Sequence, residues 1–278
     1  MMKLLEKKPD ASCLYVADTA NFPYGEKSHQ QVVECVSSLV KSIIERFEPR
    51  VIVLACNTMS VNALDALRTD FPDVKFVGTV PAIKLAASVS KNRRIGLLAT
   101  KATCENPYNI ELKNKFASDC VLVTRGDGQL VSYIEHNAFT ASRGQCLKAV
   151  KPAIDFFRQE NCDVLILGCT HFLNFTDVFE EACQPDIKVV DSVDGVVRHA
   201  LEVLGLRFEV LGQGAKCEPD GGDTGVSPVR RGSEQRSASE GKAFPTLFIT
   251  GFNDTEEENQ YNVLCLRFGI KFGGLLNK

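Results

Sequence analysis

The chain has 278 residues, 44% of them hydrophobic, a formal net charge of -3 and a pI near 5.9. That length predicts two compact units, and scattered Lys and Arg without a surplus argue against nucleic acid as a partner. MMKLLEKKPD carries no apolar leader, and no apolar run approaches the roughly 20 residues that span a bilayer, which predicts a cytoplasmic protein with no membrane partner.

Taken in order, short apolar runs alternate with amphipathic stretches. CLYVAD precedes a helix over 28–47, VIVLAC one over 60–70, KFVGTV one over 81–90 and RIGLLAT one over 105–117. CVLVTR, a helix over 143–160, DVLILGC, a helix over 173–183, IKVVDS and a helix over 194–204 continue the rhythm. Continuous Val, Ile and Leu strands separated by helices predict parallel sheets covered on both faces, hence an α/β fold. From Gly212 to Lys242 the pattern lapses into Gly, Ser, Pro and charge, which predicts a mobile insertion. Order is expected again at PTLFITG, a strand, then a helix from about Thr255 to Phe268 with Leu264 and Phe268 on one side.

An internal repeat carries the functional argument. Cys169 set beneath Cys56 aligns VIVLACNTMS with VLILGCTHFL, and the same register, without a gap, aligns PDVKFVGTV with PDIKVVDSV. Any two buried parallel strands look alike, but the matching Pro-Asp that opens both second strands favours duplication. Ligands of open α/β sheets bind outside the carboxyl ends of the strands, and both cysteines stand there. Two halves facing each other across a cleft would set one sulfur on each side of a bound molecule. Inverting a carbon centre without a cofactor needs that arrangement, since one group takes a proton from one face while another delivers one to the opposite face.

A thiol has a reference pKa of about 8.5, and a helix N-terminus lowers it. Each cysteine precedes an expected helix start, so a thiolate near neutral pH is expected. Asn57, Thr58 and Ser60 after Cys56, and Thr170 and His171 after Cys169, can cap a helix or hold a ligand carboxylate. His171, one of four histidines, is read as an acid/base group in preference to a structural one. His29 and His199 read as surface residues, and His136, beside Glu135, reads either way. The eleven cysteines form an odd set without CxxC spacing, which predicts free thiols; those other than Cys56 and Cys169, Cys217 among them, read as small apolar fillers. A Cys-Thr-His metal site lacks further ligands at a recognisable spacing, so no metal is expected. Without GxGxxG after a strand or a P-loop, no cofactor is expected either.

ADTANFPYGEKS, LACNTMSVNALDALR, GTVPAIKLAA, IGLLATKAT and LGCTHF stand in an order and spacing that resembles the glutamate racemase family of the aspartate/glutamate racemases. The likeness runs from about Lys3 to Leu204 and resumes in the terminal strand and helix. It implies two pseudo-symmetric parallel-sheet α/β domains with the active site in the cleft between them. One would comprise residues 1–91 with 244–278 and the other residues 92–211, leaving 212–243 as a low-complexity insertion. The implied activity is cofactor-independent interconversion of L- and D-glutamate, supplying D-glutamate for peptidoglycan and so for cell shape.

By the same resemblance Cys56 acts on the D-isomer and Cys169 on the L-isomer. Substrate contacts fall on Tyr24 and Gly25 of the PYG turn, on Asn57 and Thr58, and on Thr170 and His171. Thr100 and Thr103 of LLATKAT match positions near the family's site, and Glu135 matches a carboxylate that partners the histidine. PYG alone is an ordinary turn, and ATxxT an ordinary helix cap. The histidine of GCTH favours glutamate over aspartate, and a homodimer is implied.

The family opens with a strand ending in Asp-Ser-Gly, whose Asp assists the first cysteine and whose Ser binds substrate. This sequence shows no such segment, and MMKLLEKK corresponds to the helix after it. The first domain is therefore expected to lack a central strand and a catalytic carboxylate, leaving unpaired strand edges. Two readings follow: Met1 or Met2 is an internal methionine of a longer protein, or the chain is a truncated, non-catalytic relative that binds amino acids or a partner protein. Retention of both cysteines and their neighbours favours the first.

Overall fold

The computed structural model describes residues 1–138, 140–206, 245–251, 258–259, 261–262, 265–266 and 269–276. The insertion expected at 212–243, with Cys217, and the side chains of Leu264 and Phe268 lie outside the described residues. Helix α1 (Met2–Lys7) and strand β1 (Leu14–Ala17) lead into α2 (His29–Phe47), β2 (Val51–Leu54), α3 (Asn57–Asp70), β3 (Lys75–Gly78) and α4 (Ile83–Val89). Next come β4 (Arg94–Ala99), α5 (Lys101–Cys104), α6 (Tyr108–Phe116), β5 (Val121–Gly126) and α7 (Gly128–Asn137). They are followed by α8 (Arg143–Gln159), β6 (Val164–Leu167), α9 (Thr176–Cys183), β7 (Lys188–Val190) and α10 (Val193–Val203), then β8 (Thr246–Ile249) and β9 (Lys271–Leu275). Among the described residues every strand pair is parallel, as the apolar runs predict, and no helix is long and apolar enough to cross a membrane.

The second half is built on the sheet β5-β4-β6-β7. Strands buried on both faces must be apolar at every position, and the side-chain alternation divides them between two cores. Leu98, Leu165 and Leu167 pack with Ile134, Val150, Ile154 and Phe157 on one face, while Ile95, Leu97, Val164 and Ile166 pack with Ile83 and Ala86 on the other. In the first half, α2 starts at a capping box between Ser28 and Gln31 and buries Val32, Val36 and Val40, four residues apart, against β2 and α3.

The repeat seen in the sequence is also a repeat of register. Val51 of β2 stands opposite Lys75 of β3, and Val164 of β6 stands opposite Lys188 of β7, the equivalent pair. After β2 comes α3; after β6 come a 3-10 turn over Thr170–Phe175 and α9, which together cover the equivalent stretch.

The first half's sheet is in two pieces, β1-β8-β9 and β2-β3. Among the described residues no strand lies between β1 and β2, and Leu14, Tyr15 and Val53 are 45%, 41% and 37% exposed. Both strands line one continuous hollow of about 3330 Å³, walled also by Val36 and Val40 of α2 and by Val196 and Val197 of α10. A small-molecule site occupies roughly 300 to 1,000 Å³, so the hollow is larger than such a site and takes in the gap between β1 and β2.

Several elements depart from the sequence pattern. The helix expected over 105–117 is α6, which starts only at Tyr108, because Pro107 cannot donate to a continuing helix and displaces the residue before it; a separate short α5 precedes it. The one expected over 173–183 opens as the 3-10 turn. Helix α7 was not anticipated from the apolar rhythm, although Asp127 caps it by accepting from the Leu130 amide, and Leu130, Val131 and Ile134 face the core. Strand β9 was missed because KFGGL has little strand propensity; Gly273 is needed there, since a Cβ would stand 2.6 Å from the Phe248 ring.

With apolar edges facing a hollow, a protein of these 278 residues should enhance the fluorescence of an apolar dye such as anilinonaphthalene sulfonate. Val53→Asp should reduce that enhancement. A native fold with no dye binding would contradict the open gap.

Candidate active site

Cys56 follows β2 and takes the N-cap place of α3, with extended backbone at φ -150° and ψ 125°. Burial pushes its thiol up to about 11, outweighing the amides of Met59 and Thr58, while a charge on Cys169 adds repulsion. This corrects the expectation of a thiolate near neutral pH at Cys56: the helix amides are present, but desolvation at this half-buried residue outweighs them.

Cys169 follows β6, is buried, and occupies the corresponding N-cap of the 3-10 turn. Its Sγ lies 3.5 Å from Nδ1 of His171, whose Nε2 lies 2.9 Å from Oε2 of Glu135 on α7. Burial alone would disfavour the imidazolium, but the bonds to Cys169 and Glu135 overcome it and raise His171 to about 10. The bond from His171 holds the Glu135 carboxyl below its usual range. Near neutral pH the imidazolium therefore donates to sulfur on one side and to carboxylate on the other.

Thr58, in the first turn of α3, meets Thr100 and Thr103 through hydroxyl contacts of 2.9 and 3.0 Å, and the last two are 3.0 Å apart. Thr100 also caps α5, accepting from the Thr103 amide at 3.2 Å. Asn57 is 3% exposed, and its Oδ1 has no hydrogen-bond partner. The PYG segment forms a 3-10 turn over Tyr24–Glu26, in which the Tyr24 hydroxyl donates to Asp18. Gly25 abuts Thr100 so closely that a Cβ would stand 2.7 Å from its methyl carbon.

The hollow is lined by Tyr24, Gly25, Cys56, Asn57, Thr58, Thr100, Glu135, Cys169, Thr170 and His171. Thr103 is a correction: fully buried, it stands behind Thr58 and reaches the hollow only through its neighbours. His29, His136 and His199 are exposed and bond to Asn62, the Ser132 carbonyl and Glu202, and the first two also stand at the wall of the hollow. Pattern reading passed over Asp18, which gathers three side-chain donors, and Phe22, whose ring centroid lies 5.7 Å from that of His171. The adjacency of ADTAN and FPYG was the available signal.

Two parallel α/β halves set equivalent cysteines around one hollow, one of them beside an imidazolium and a carboxylate, which is the layout of an α/β enzyme with paired titratable groups in its cleft. The family model described as Asp/Glu/Hydantoin racemase matches residues 2–200. The chain belongs to this racemase family. It is 37% identical over 222 residues to the glutamate racemase of Treponema pallidum (strain Nichols), covering 80% of this chain and 82% of that protein. It is 42% identical over 197 residues to that of Actinobacillus pleuropneumoniae serotype 5b (strain L20), covering 70% and 73%. A solved structure of Escherichia coli glutamate racemase, in complex with L-glutamate and the activator UDP-MurNAc-Ala, is similar over 98% of this chain and 91% of that one, with a TM-score of 0.75 and 28% identity.

His171, raised above its free value of 6.5, contributes stability that is complete below that pH and lost as pH rises through about 10. Glu135, lowered from 4.5, contributes stability above that pH that is lost as pH falls through its folded value. Glu135→Gln removes the pairing of the two charges. The thermal midpoint of the wild type should exceed that of the variant most between about pH 4.5 and 6.5, narrowing toward pH 10 and toward strong acid. The His171 ring resonance should titrate lower in the variant, and an unchanged midpoint would contradict the pairing.

Proposed function

We propose that the protein interconverts L- and D-glutamate by proton removal and delivery at two thiols, without a cofactor. The observation that carries this reading is the equivalent placement of Cys56 and Cys169 at strand ends that repeat in register around one hollow. In this reading the unit of residues 1–91 with 244–278 supplies Cys56 and that of residues 92–211 supplies Cys169, while α4 of the first packs on the sheet of the second. The glutamate assignment is supported by the names of the curated relatives, by L-glutamate in the Escherichia coli enzyme, and by the histidine of GCTH.

The two sulfurs start from different states. The Sγ of Cys169 lies 3.5 Å from the His171 imidazolium, whereas Cys56, pushed up to about 11, keeps its proton near neutral pH. Cys169 takes the α-proton of L-glutamate: a C–H bond breaks, an S–H bond forms, and the electron pair stays on carbon. Cys56 delivers its proton to the opposite face, its S–H bond breaking as the new C–H bond forms. Product is D-glutamate, with a thiol at Cys169 and a thiolate at Cys56, and proton exchange with water resets the pair. The buried, unpaired Oδ1 of Asn57 accepts from the substrate ammonium, and the Thr58 and Thr170 hydroxyls hold its carboxylates. Tyr24 and Gly25 contribute the wall beside Thr100. A cytoplasmic homodimer supplying D-glutamate for peptidoglycan completes the reading.

In heavy water the wild type should wash deuterium into the α-position of both enantiomers. Cys56→Ala and Cys169→Ala should each lower racemisation by about 10² to 10⁴-fold, the range for one acid/base group. Wild-type rates in both variants would sink the two-thiol mechanism. Calorimetric binding of glutamate without exchange at any pH between about 7 and 9 would instead make the chain an amino-acid-binding relative.

A further inference from the structure

We propose that Asp18 and Phe22 are positioning residues for the Cys169 half of the reaction: the Asp18 carboxylate fixes the loop after β1 so that the Phe22 ring covers the imidazole of His171. This deepens the racemase reading and rests on it.

The Asp18 carboxylate accepts from Asn21 Nδ2 at 3.1 and 2.9 Å, from the Thr250 hydroxyl at 2.7 Å and from the Tyr24 hydroxyl. The Thr250 oxygen in turn accepts from the Ala20 amide at 3.0 Å, and Thr19 Oγ1 accepts from the Gly251 amide at 3.0 Å. Asn21 Oδ1 takes the Cys35 thiol of α2 at 3.4 Å. The loop is thus stitched to the ends of β1 and β8 and to α2, around one group that only accepts. An amide at position 18 would turn a donor toward these donors, so a carboxylate is specifically suited to the place.

From this frame Phe22 reaches the second half. Its ring lies 5.7 Å from that of His171, tilted 45°. Phe22 is 40% exposed and belongs to none of the four apolar cores among the described residues, so packing of those cores does not account for its position. Both nitrogens of His171 are engaged, one with Cys169 and one with Glu135, and only the faces of the ring remain. An aromatic ring against such a face attracts the cation and keeps water from it. The titratable groups at His171 are Cys169 on its own turn and Glu135 on α7, with exposed His136 beside Glu135. All three are untouched by a change at position 22.

The test compares Phe22→Leu, Phe22→Tyr and Asp18→Asn with the wild type, reading the His171 titration by NMR alongside racemisation against pH. Phe22→Leu should lower the His171 midpoint by about 0.5 unit, the loss of one partly exposed cation–π contact, and shift the matching limb of the kcat/KM profile by the same amount. Phe22→Tyr, which keeps the ring, should restore both. Asp18→Asn should repeat the Phe22→Leu shift and lower kcat/KM by roughly tenfold, the scale of a lost charged hydrogen bond, by the same factor in both directions because mirror-image substrates are equal in energy. An unshifted His171 titration in both Phe22→Leu and Asp18→Asn would overturn the proposal, even if either variant loses thermal stability. Absence of α-proton exchange in the wild type would refute the racemase reading alone, and the titration in Phe22→Leu would still decide whether Phe22 sets His171.

Discussion

Parallel pairing in one register, used twice, governs the position of the two sulfurs. A parallel strand presents its carboxyl end to the loop that starts the next helix, so a residue just beyond that end stands at the mouth of the sheet whatever its chemistry. Val51 opposite Lys75 and Val164 opposite Lys188 give the two strand pairs the same offset, and Cys56 and Cys169 therefore leave their sheets at equivalent points. In β2 a slip of one residue would turn the buried Ile52 and Leu54 outward. Strand β6, apolar on both faces, is held in register by its pairing with β4 and β7.

Equivalence in position does not extend to electrostatics. Cys169 has a cation at 3.5 Å, fixed by a carboxylate on another helix. Cys56 has amides, a threonine hydroxyl and burial, and its thiol rises to about 11. Mirror-image substrates require equal overall rates per encounter in the two directions, but they do not require equal resting states of the two acid/base groups. An asymmetric pair in which one sulfur has an imidazolium beside it and the other keeps its proton is suited to one direction and is reset through solvent for the other.

Much of this was legible in the sequence because it depends on pattern. Continuous apolar runs marked β1 through β8, the amphipathic stretch over 28–47 marked α2, and the two aligned cysteines marked the hollow. What escaped depends on contact. Strand β9 exists because Gly273 lets the Phe248 ring approach, which no propensity of KFGGL suggests. Thr103 has the spacing of a site residue, yet its hydroxyl is turned behind Thr58. The Cys56 thiol rises because of desolvation, a property of the wall around it and not of the helix it begins. Asp18 looks like a solvated loop residue until Thr250, far along the chain, is seen to donate to it.

The central claim is that a substrate carbon sits between the two sulfurs. A crystal structure of the protein with glutamate bound tests it most directly. The account predicts Cα between Cys56 and Cys169, one Sγ toward each face, with the ammonium within hydrogen-bonding reach of Asn57 Oδ1. Glutamate bound elsewhere in the hollow, or with both sulfurs on one face of Cα, would contradict it.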